Sequence, residues 1–302
     1  MPLDLRALPQ ARDRLSYLYV EHANVEREEG SVAFLATDEE GEPCVTPAPV
    51  CDLALLMLGP GTTLSHAAAS VLARNNCLVA WVGEEGVRLY AFGSGGARSS
   101  ARLLRQAALA VDPARRQEAV RRLYGMRFPE GAPADASIAQ LRGREGIRVR
   151  ETYRRLAETH GIDWPGRAFE AGDTRAGEPI NRALSAANAC LYGVCHAAIL
   201  SLGLSPGLGF IHTGQQMSFV YDVADLYKLD LAAPTAFAAA AEGAGDIERR
   251  VRRALRDRFR ETRFVARVAD DLMAIVGPDD EGPAAPEGGE EPASEGGEEW
   301  TS

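Results

Sequence analysis

The chain changes texture once, across Gly93-Ser-Gly-Gly-Ala-Arg-Ser-Ser100, and that change limits what it can fold into. Before it, short apolar runs recur at 15–20, 32–36, 53–58, 77–82 and 87–92. Asp38-Glu-Glu-Gly41, Gly59-Pro-Gly61 and Gly83-Glu-Glu-Gly86 separate them. Runs of that length between turn formers read as strands, with one short helix over 64–74 entered from Thr62-Thr63. After the change the periodicity is helical, over 101–111, 114–127, 137–160, 178–202, 218–228, 235–241, 247–258 and 262–276. From Gly277 onward Pro, Gly and Glu dominate without periodicity, which reads as a disordered tail. The expected fold is therefore α+β: a small, mainly-β N-terminal domain (1–95), a larger all-helical domain (96–276) and an acidic tail (277–302).

The 302 residues carry enough apolar content for one large core or two smaller ones. No run approaches 18 apolar residues and no basic-then-apolar leader opens the chain, so the expectation is a cytoplasmic protein without a membrane anchor. Cys44, Cys51, Cys77, Cys190 and Cys195 are odd in number and lack C-x-x-C spacing, which favours reduced, mostly buried thiols. The net charge of -10 is misleading. From Asp279 to the end there are nine acids and no bases, so taking that tail away leaves -1, and an anionic partner is not excluded.

The stretch from Gly209 to Asp230 carries the chemistry. His212 sits in a glycine-bracketed loop, Ser218 reads as an N-cap, and Phe219, Val223, Leu226 and Tyr227 make one apolar stripe. Asp222 lies at the edge of that stripe and Asp225 about 60° further round, with Lys228 beyond it. Lys228 is the sole lysine among thirty-three basic residues, which suggests that a compact ammonium is wanted there.

A second misplaced acid lies upstream. On the helix 137–160, Ile138, Leu141, Val149 and Leu156 converge, and Glu145 falls inside their stripe. A carboxylate facing a core must be paired, protonated or metal-bound. Arg142 and Arg148, each one turn away, offer the paired alternative. Glu145, His212, Asp222 and Asp225 together would form an oxygen-rich site with one imidazole, which favours Mg2+ or Mn2+ over structural zinc. Such a site suits phosphoryl chemistry. Arginines supply a matching field: Arg142, Arg144, Arg148 and Arg150 on the glutamate helix, and Arg249, Arg250, Arg252, Arg253, Arg256, Arg258 and Arg260 on a strongly basic helix that could track a nucleic-acid backbone. His22, His66, His160 and His196 have no partner pattern. Tyr192 reads as core packing, with a hydroxyl aimed at the site as the second reading.

Leu141-Arg-Gly-Arg-Glu-Gly-Ile-Arg-Val-Arg150, Cys190-Leu-Tyr-Gly-Val194, Gly209-Phe-Ile-His-Thr-Gly214 and Ser218-Phe-Val-Tyr-Asp-Val-Ala-Asp-Leu-Tyr-Lys228 resemble the CRISPR-associated spacer-acquisition integrase family, the "Cas-one" proteins, in their subtype I-E form. Pro60-Gly-Thr-Thr-Leu-Ser-His-Ala-Ala68 and Trp81-Val-Gly-Glu-Glu-Gly-Val-Arg-Leu-Tyr-Ala91 carry the likeness into the N-terminal half. The resemblance implies metal ligation by Glu145, His212 and Asp225, with Asp222, Tyr192 and Lys228 also in the active site. It implies a homodimer that works with a small ferredoxin-like "Cas-two" companion. The implied reaction is integration of short DNA fragments into a CRISPR array, a fragment 3′-hydroxyl attacking a repeat phosphodiester. Two departures stand out. His22 occupies the place of an aromatic that stacks on the DNA duplex, and the tail is short, acidic and glycine-rich. Two other readings share the same residues: a nuclease on branched or single-stranded DNA, and a non-catalytic DNA-binding scaffold.

Overall fold

The structure is a computed structural model. It describes residues 16–37, 41–48, 50, 53–75, 77–84, 89–93, 100–128, 130–133, 136–164, 166 and 178–277. Cys51, residues 94–99 of the expected domain boundary and the acidic tail beyond Gly277 lie outside the described residues.

Among the described residues eight strands make up the N-terminal part: β1 Ser16–Val20, β2 Asn24–Glu28, β3 Ser31–Thr37, β4 Pro43–Ala48, β5 Leu53–Leu58, β6 Thr63–Leu64, β7 Leu78–Val82 and β8 Leu89–Gly93, with α1 (His66–Arg74) between β6 and β7. They form two four-stranded sheets, in the orders β1-β5-β7-β8 and β4-β3-β2-β6. In the first sheet β1, β5 and β7 run parallel, and β8 closes the edge antiparallel. Its centre is covered on both faces. Leu56 and Leu58 point into a core shared with the second sheet and α1, while Leu55 and Met57 point into another with Leu78, Ala80 and Ala197. Burial on both faces explains why β5 is an unbroken apolar run.

Three strands, β2, β4 and β6, escape the sequence reading. In β2 only Val25 is buried and the remaining four residues are exposed. β4 carries Pro43 and Pro47, which an edge strand tolerates because it leaves one row of backbone groups unpaired. Thr63 belongs to β6 and does not open α1, whose N-cap is Ser65 accepting from Ala68 N.

The helices follow as α2 Ala101–Val111, α3 Pro113–Arg127, α4 Ile138–His160, α5 Pro179–Ser201, α6 Ser218–Ala224, α7 Ala233–Ala241, α8 Ile247–Glu261 and α9 Phe264–Val276. Their bounds follow cap chemistry. Asp112 accepts from Ala114 N and Arg115 N ahead of Pro113. Ser137 and Gln140 form a reciprocal capping box at the start of α4, and Gly161, at φ 64°, ends it in the left-handed conformation. α8 buries Ile247, Val251, Leu255 and Phe259, spaced four apart, and turns its arginines outward.

α5 is the axis of the helical part. By length and mean hydropathy it could cross a membrane, although Arg182, Asn188 and His196 interrupt its apolar residues. Most of it is buried inside the protein, so it serves as a core helix. Small residues (Ala183, Ala187, Gly193, Ala197, Ala198) let its neighbours approach closely, and its far end, through Ala197 and Leu200, packs on the first sheet. Among the described residues, Cys77, Cys190 and Cys195 are buried, Cys44 is half-buried, and none of the four is in a disulfide.

Candidate active site

α6 is shorter than its periodicity suggests. It ends at Ala224 with Asp225 at its C-cap, and Lys228–Ala232 then forms one π-helical turn before α7. Pro234 has no N–H to return to the carbonyl of Asp230, a loss that a widened turn accommodates. Ser218 is the first helical residue rather than the cap. Its buried hydroxyl accepts from Gln215 N and so holds the preceding loop. The apolar stripe holds: Phe219, Val223, Leu226 and Tyr227 are all buried.

Asp222, at the edge of that stripe, is fully buried. Its Oδ2 accepts from Phe210 N at 2.6 Å and Ile211 N at 2.9 Å. Its Oδ1 accepts from His212 N at 2.9 Å and meets His212 Nδ1 at 2.7 Å. The carbonyls of the same loop are held from the other side, Phe210 O by Arg116 Nε at 2.8 Å and Ile211 O by Arg142 Nη2 at 3.3 Å. Gly209 makes the close fold possible, because a Cβ there would stand 2.3 Å from His212 O. With Nδ1 committed to a carboxylate, the half-exposed imidazole keeps Nε2 to offer.

Glu145 is paired, but neither with Arg142 nor with Arg148. Its partner is Arg127, the last residue of α3. Arg127 Nη1 donates to Glu145 Oε1 at 2.9 Å and Oε2 at 2.7 Å. Nη2 donates to Asp222 O at 2.9 Å and lies 3.6 Å from Asp225 Oδ2. Arg127 is only 2 % exposed. Its signal was present in the sequence, since Val120, Leu123, Tyr124 and Arg127 share one helical face and the first three are core residues. Arg148 instead meets Asp230 at 3.6 Å.

Lys228 hydrogen-bonds Asp225 through Nζ, which also lies 5.6 Å from the centroid of the Tyr192 ring. Burial opposes its charge, but the adjacent Asp225 carboxylate outweighs that and holds the ammonium above the usual lysine value. Tyr192 packs edge-on to Tyr221 at 5.2 Å, and Tyr221 in turn meets the His212 ring at 5.8 Å. Glu145, Tyr192, Asp225 and Lys228 line one cavity of about 400 Å³, with Val149, Arg150, Tyr153, Trp164 and Asn188 completing its walls. The buried Oδ1 of Asn188, one helical turn before Tyr192, has no hydrogen-bond partner among the described residues. His212 does not line this cavity; it stands beyond Tyr221. Among the described residues no three His, Cys, Asp or Glu side chains are grouped closely enough to hold one ion.

The outlying arginines divide. Arg148 lines a neighbouring groove of about 510 Å³ on the other side of α4, with Arg144, Arg155 and the exposed Ile147. On α8, Arg252 meets Glu84 at 3.1 Å and Arg256 meets Asp257 at 2.9 Å. Arg250 caps carbonyls at the end of α7, and Arg249 and Arg253 are exposed. None of the α8 arginines lines the cavity. His22 is exposed and has a positive φ of 51° in the turn after β1.

Comparison with known proteins matches residues 127–253 to the family model of CRISPR associated protein Cas1. The CRISPR-associated endonuclease Cas1 2 of Thermus thermophilus is 53% identical over 272 residues, covering 90% of this chain and 82% of that protein. The CRISPR-associated endonuclease Cas1 of Escherichia coli is 43% identical over 284 residues, covering 94% and 92%. Among solved structures, the TtCas1–DNA complex superposes with a TM-score of 0.79 at 54% identity, over 89% of this chain and 99% of that one. A casposase bound to its integration product shares the fold alone, with a TM-score of 0.58 at 16% identity over 87% and 95%. The chain belongs to the Cas1 family of CRISPR-associated proteins.

Proposed function

We propose that this chain is a divalent-metal-dependent DNA integrase that joins short DNA fragments into a CRISPR array. The observation that carries the reading is the convergence of two carboxylates, Glu145 and Asp225, with the sole lysine and Tyr192 on one cavity, while Asp222 orients the His212 imidazole beside it. Two carboxylates and one imidazole nitrogen are the donors that Mg2+ or Mn2+ accepts, and an imidazole tied through Nδ1 to a carboxylate is the usual form of a metal-ligating histidine. Joining the three on one ion requires Glu145 to leave Arg127 and His212 to move toward Asp225 together with the loop that carries it. Such an ion, when bound, polarises a phosphodiester and lowers the pKa of the attacking hydroxyl.

The remaining steps belong to the chain itself. Lys228, kept charged by Asp225, meets the negative charge that develops on the phosphate. Tyr192 and Tyr221 offer ring edges and faces against which a DNA end can be held. Arg142 and Arg148, with Arg249, Arg252, Arg253 and Arg256, supply phosphate contacts along a longer path. DNA is supported as a ligand by the DNA complex of the 54%-identical structure. Assembly as a homodimer with a small ferredoxin-like "Cas-two" companion, in the cytoplasm, completes the proposal.

The names of the relatives favour a second reading, an endonuclease whose nucleophile is water. Labelled duplex with free 3′ ends, a repeat-containing target and Mg2+ or Mn2+ separate the two. Joined products support integration, shortened ones hydrolysis, and DNA bound without covalent change a scaffold. Asp225→Ala and His212→Ala are expected to fold and to abolish joining. Full joining by either variant would overturn the assignment.

A further inference from the structure

We infer that Arg127 is a resident counter-cation, which holds the two carboxylates together in the metal-free chain and must give up Glu145 when a divalent cation binds. The inference rests on the metal reading above and deepens it. Its basis is a charge balance. Glu145 and Asp225 bring two negative charges, and Arg127 and Lys228 bring two positive ones. The Asp222 carboxylate lies apart, saturated by three backbone N–H groups and the His212 ring.

Arg127 is built for that position. One guanidinium nitrogen takes both oxygens of Glu145, leaving that carboxylate turned toward α3. The other takes the carbonyl of Asp222 and lies 3.6 Å from Asp225. Three separate helical elements are thereby tied at a point that is 2 % exposed, where two uncompensated carboxylates would repel strongly. Nε, also buried, has no partner among the described residues, so the guanidinium is set at its Nη end alone, by the Glu145 carboxylate, the Asp222 carbonyl and the nearby Asp225. The guanidinium and a divalent cation are therefore alternative partners for Glu145. Arg127 is a positioning residue: it touches no substrate and acts through the ligands.

The test is Mn2+ binding by the full chain, measured by calorimetry and electron paramagnetic resonance, with thermal melts alongside. Arg127→Met is expected to bind Mn2+ about tenfold tighter or more, since a competing positive charge is gone. Its melting temperature should be lower than wild type without metal and rise further on Mn2+ addition. Arg127→Lys, which keeps a cation, should stay near wild type in both. A folded Arg127→Met with equal or weaker Mn2+ affinity overturns the inference. If Arg127→Met does not fold even with Mn2+, 15N-arginine spectra of the wild type decide. The guanidinium signals absent from Arg127→Lys must change on saturation with Mg2+, and their constancy overturns the inference. An Asp225→Asn control separates the two levels. Mn2+ binding indifferent to it sinks the metal reading and this inference with it. Binding that depends on Asp225 but not on Arg127 sinks this inference alone.

Discussion

His212 and Asp222 are joined twice, once through the His212 backbone N–H at 2.9 Å and once through its ring Nδ1 at 2.7 Å, both to the same carboxylate oxygen. The ring therefore cannot be aimed independently of the loop that carries it. Aspartate at this position shapes the loop and selects the imidazole tautomer in a single interaction.

Asp222→Ala should accordingly act as a folding lesion of one loop. It strands the N–H groups of Phe210, Ile211 and His212, and charged hydrogen bonds of this kind are worth about 1.5–3 kcal/mol each. We expect a loss of at least about 3 kcal/mol by urea denaturation, with faster hydrogen exchange concentrated at 209–217. A loss under about 1 kcal/mol would mean that Arg116 and Arg142 hold the loop without it.

Asn188 separates function from stability. Its buried Oδ1 has nothing to accept from, so Asn188→Leu should leave the melting temperature unchanged or raised. DNA joining should fall by about tenfold or more if a substrate group supplies the missing donor, about the worth of one hydrogen bond. Unchanged joining rates would remove Asn188 from the site.

His196 gives a pH dependence. Burial lowers its pKa, and its buried Nε2 is without a partner, so the folded chain favours the neutral ring. The unfolded chain binds the proton more readily. The contribution of this group is thus fully present above the ordinary value of about 6.5 and is lost as pH falls below it. His196→Phe should flatten that part of the stability profile between pH 7.5 and 5.5. Parallel profiles for the two proteins would show that the ring does not titrate there.

The basic helix α8 predicts a salt signature. Arg249, Arg253 and Arg256 contact DNA phosphate in the proposed function, and replacing all three by alanine should weaken binding of any duplex sequence alike. The slope of log affinity against log salt should become shallower by up to about 0.9 per lost contact. Since none of the three lines the cavity, Mn2+ affinity should stay as it was. An unaltered salt slope would return α8 to the role of a solvated face.

The parts legible in the sequence were those written in local chemistry. Ser137 with Gln140 and the glycine at 161 announce both ends of α4, and Glu145 stands out because helical periodicity alone places it on an apolar stripe. The same periodicity puts Asp222 nearer the apolar stripe than Asp225, and Asp222 is fully buried. What stayed hidden depends on distant segments. β2 has one buried side chain and is a strand because β3 and β6 flank it. The sequence carries no helix breaker between Ser218 and Lys228, so its periodicity runs on to Lys228, whereas α6 ends at Ala224 and a π-helical turn follows ahead of Pro234. Arg127 was passed over because its partners lie 18 and 98 positions on. Arg142 and Arg148 offer themselves as partners of Glu145 only by being near in sequence; the fold brings Arg127 to it instead.

The helix α5 also sets a length. Asn188 and Tyr192 stand in the cavity wall, while Leu200 presses on the first sheet, twelve positions on from Asn188. At 1.5 Å per residue that is about 18 Å of continuous helix. The separation between cleft and sheet is thus written into one unbroken backbone, where a lengthened loop could not alter it. Inserting a single residue between them would turn the cavity wall by about 100° relative to the sheet. The protein works as a gauge block, and this helix is the part of it least free to drift in length.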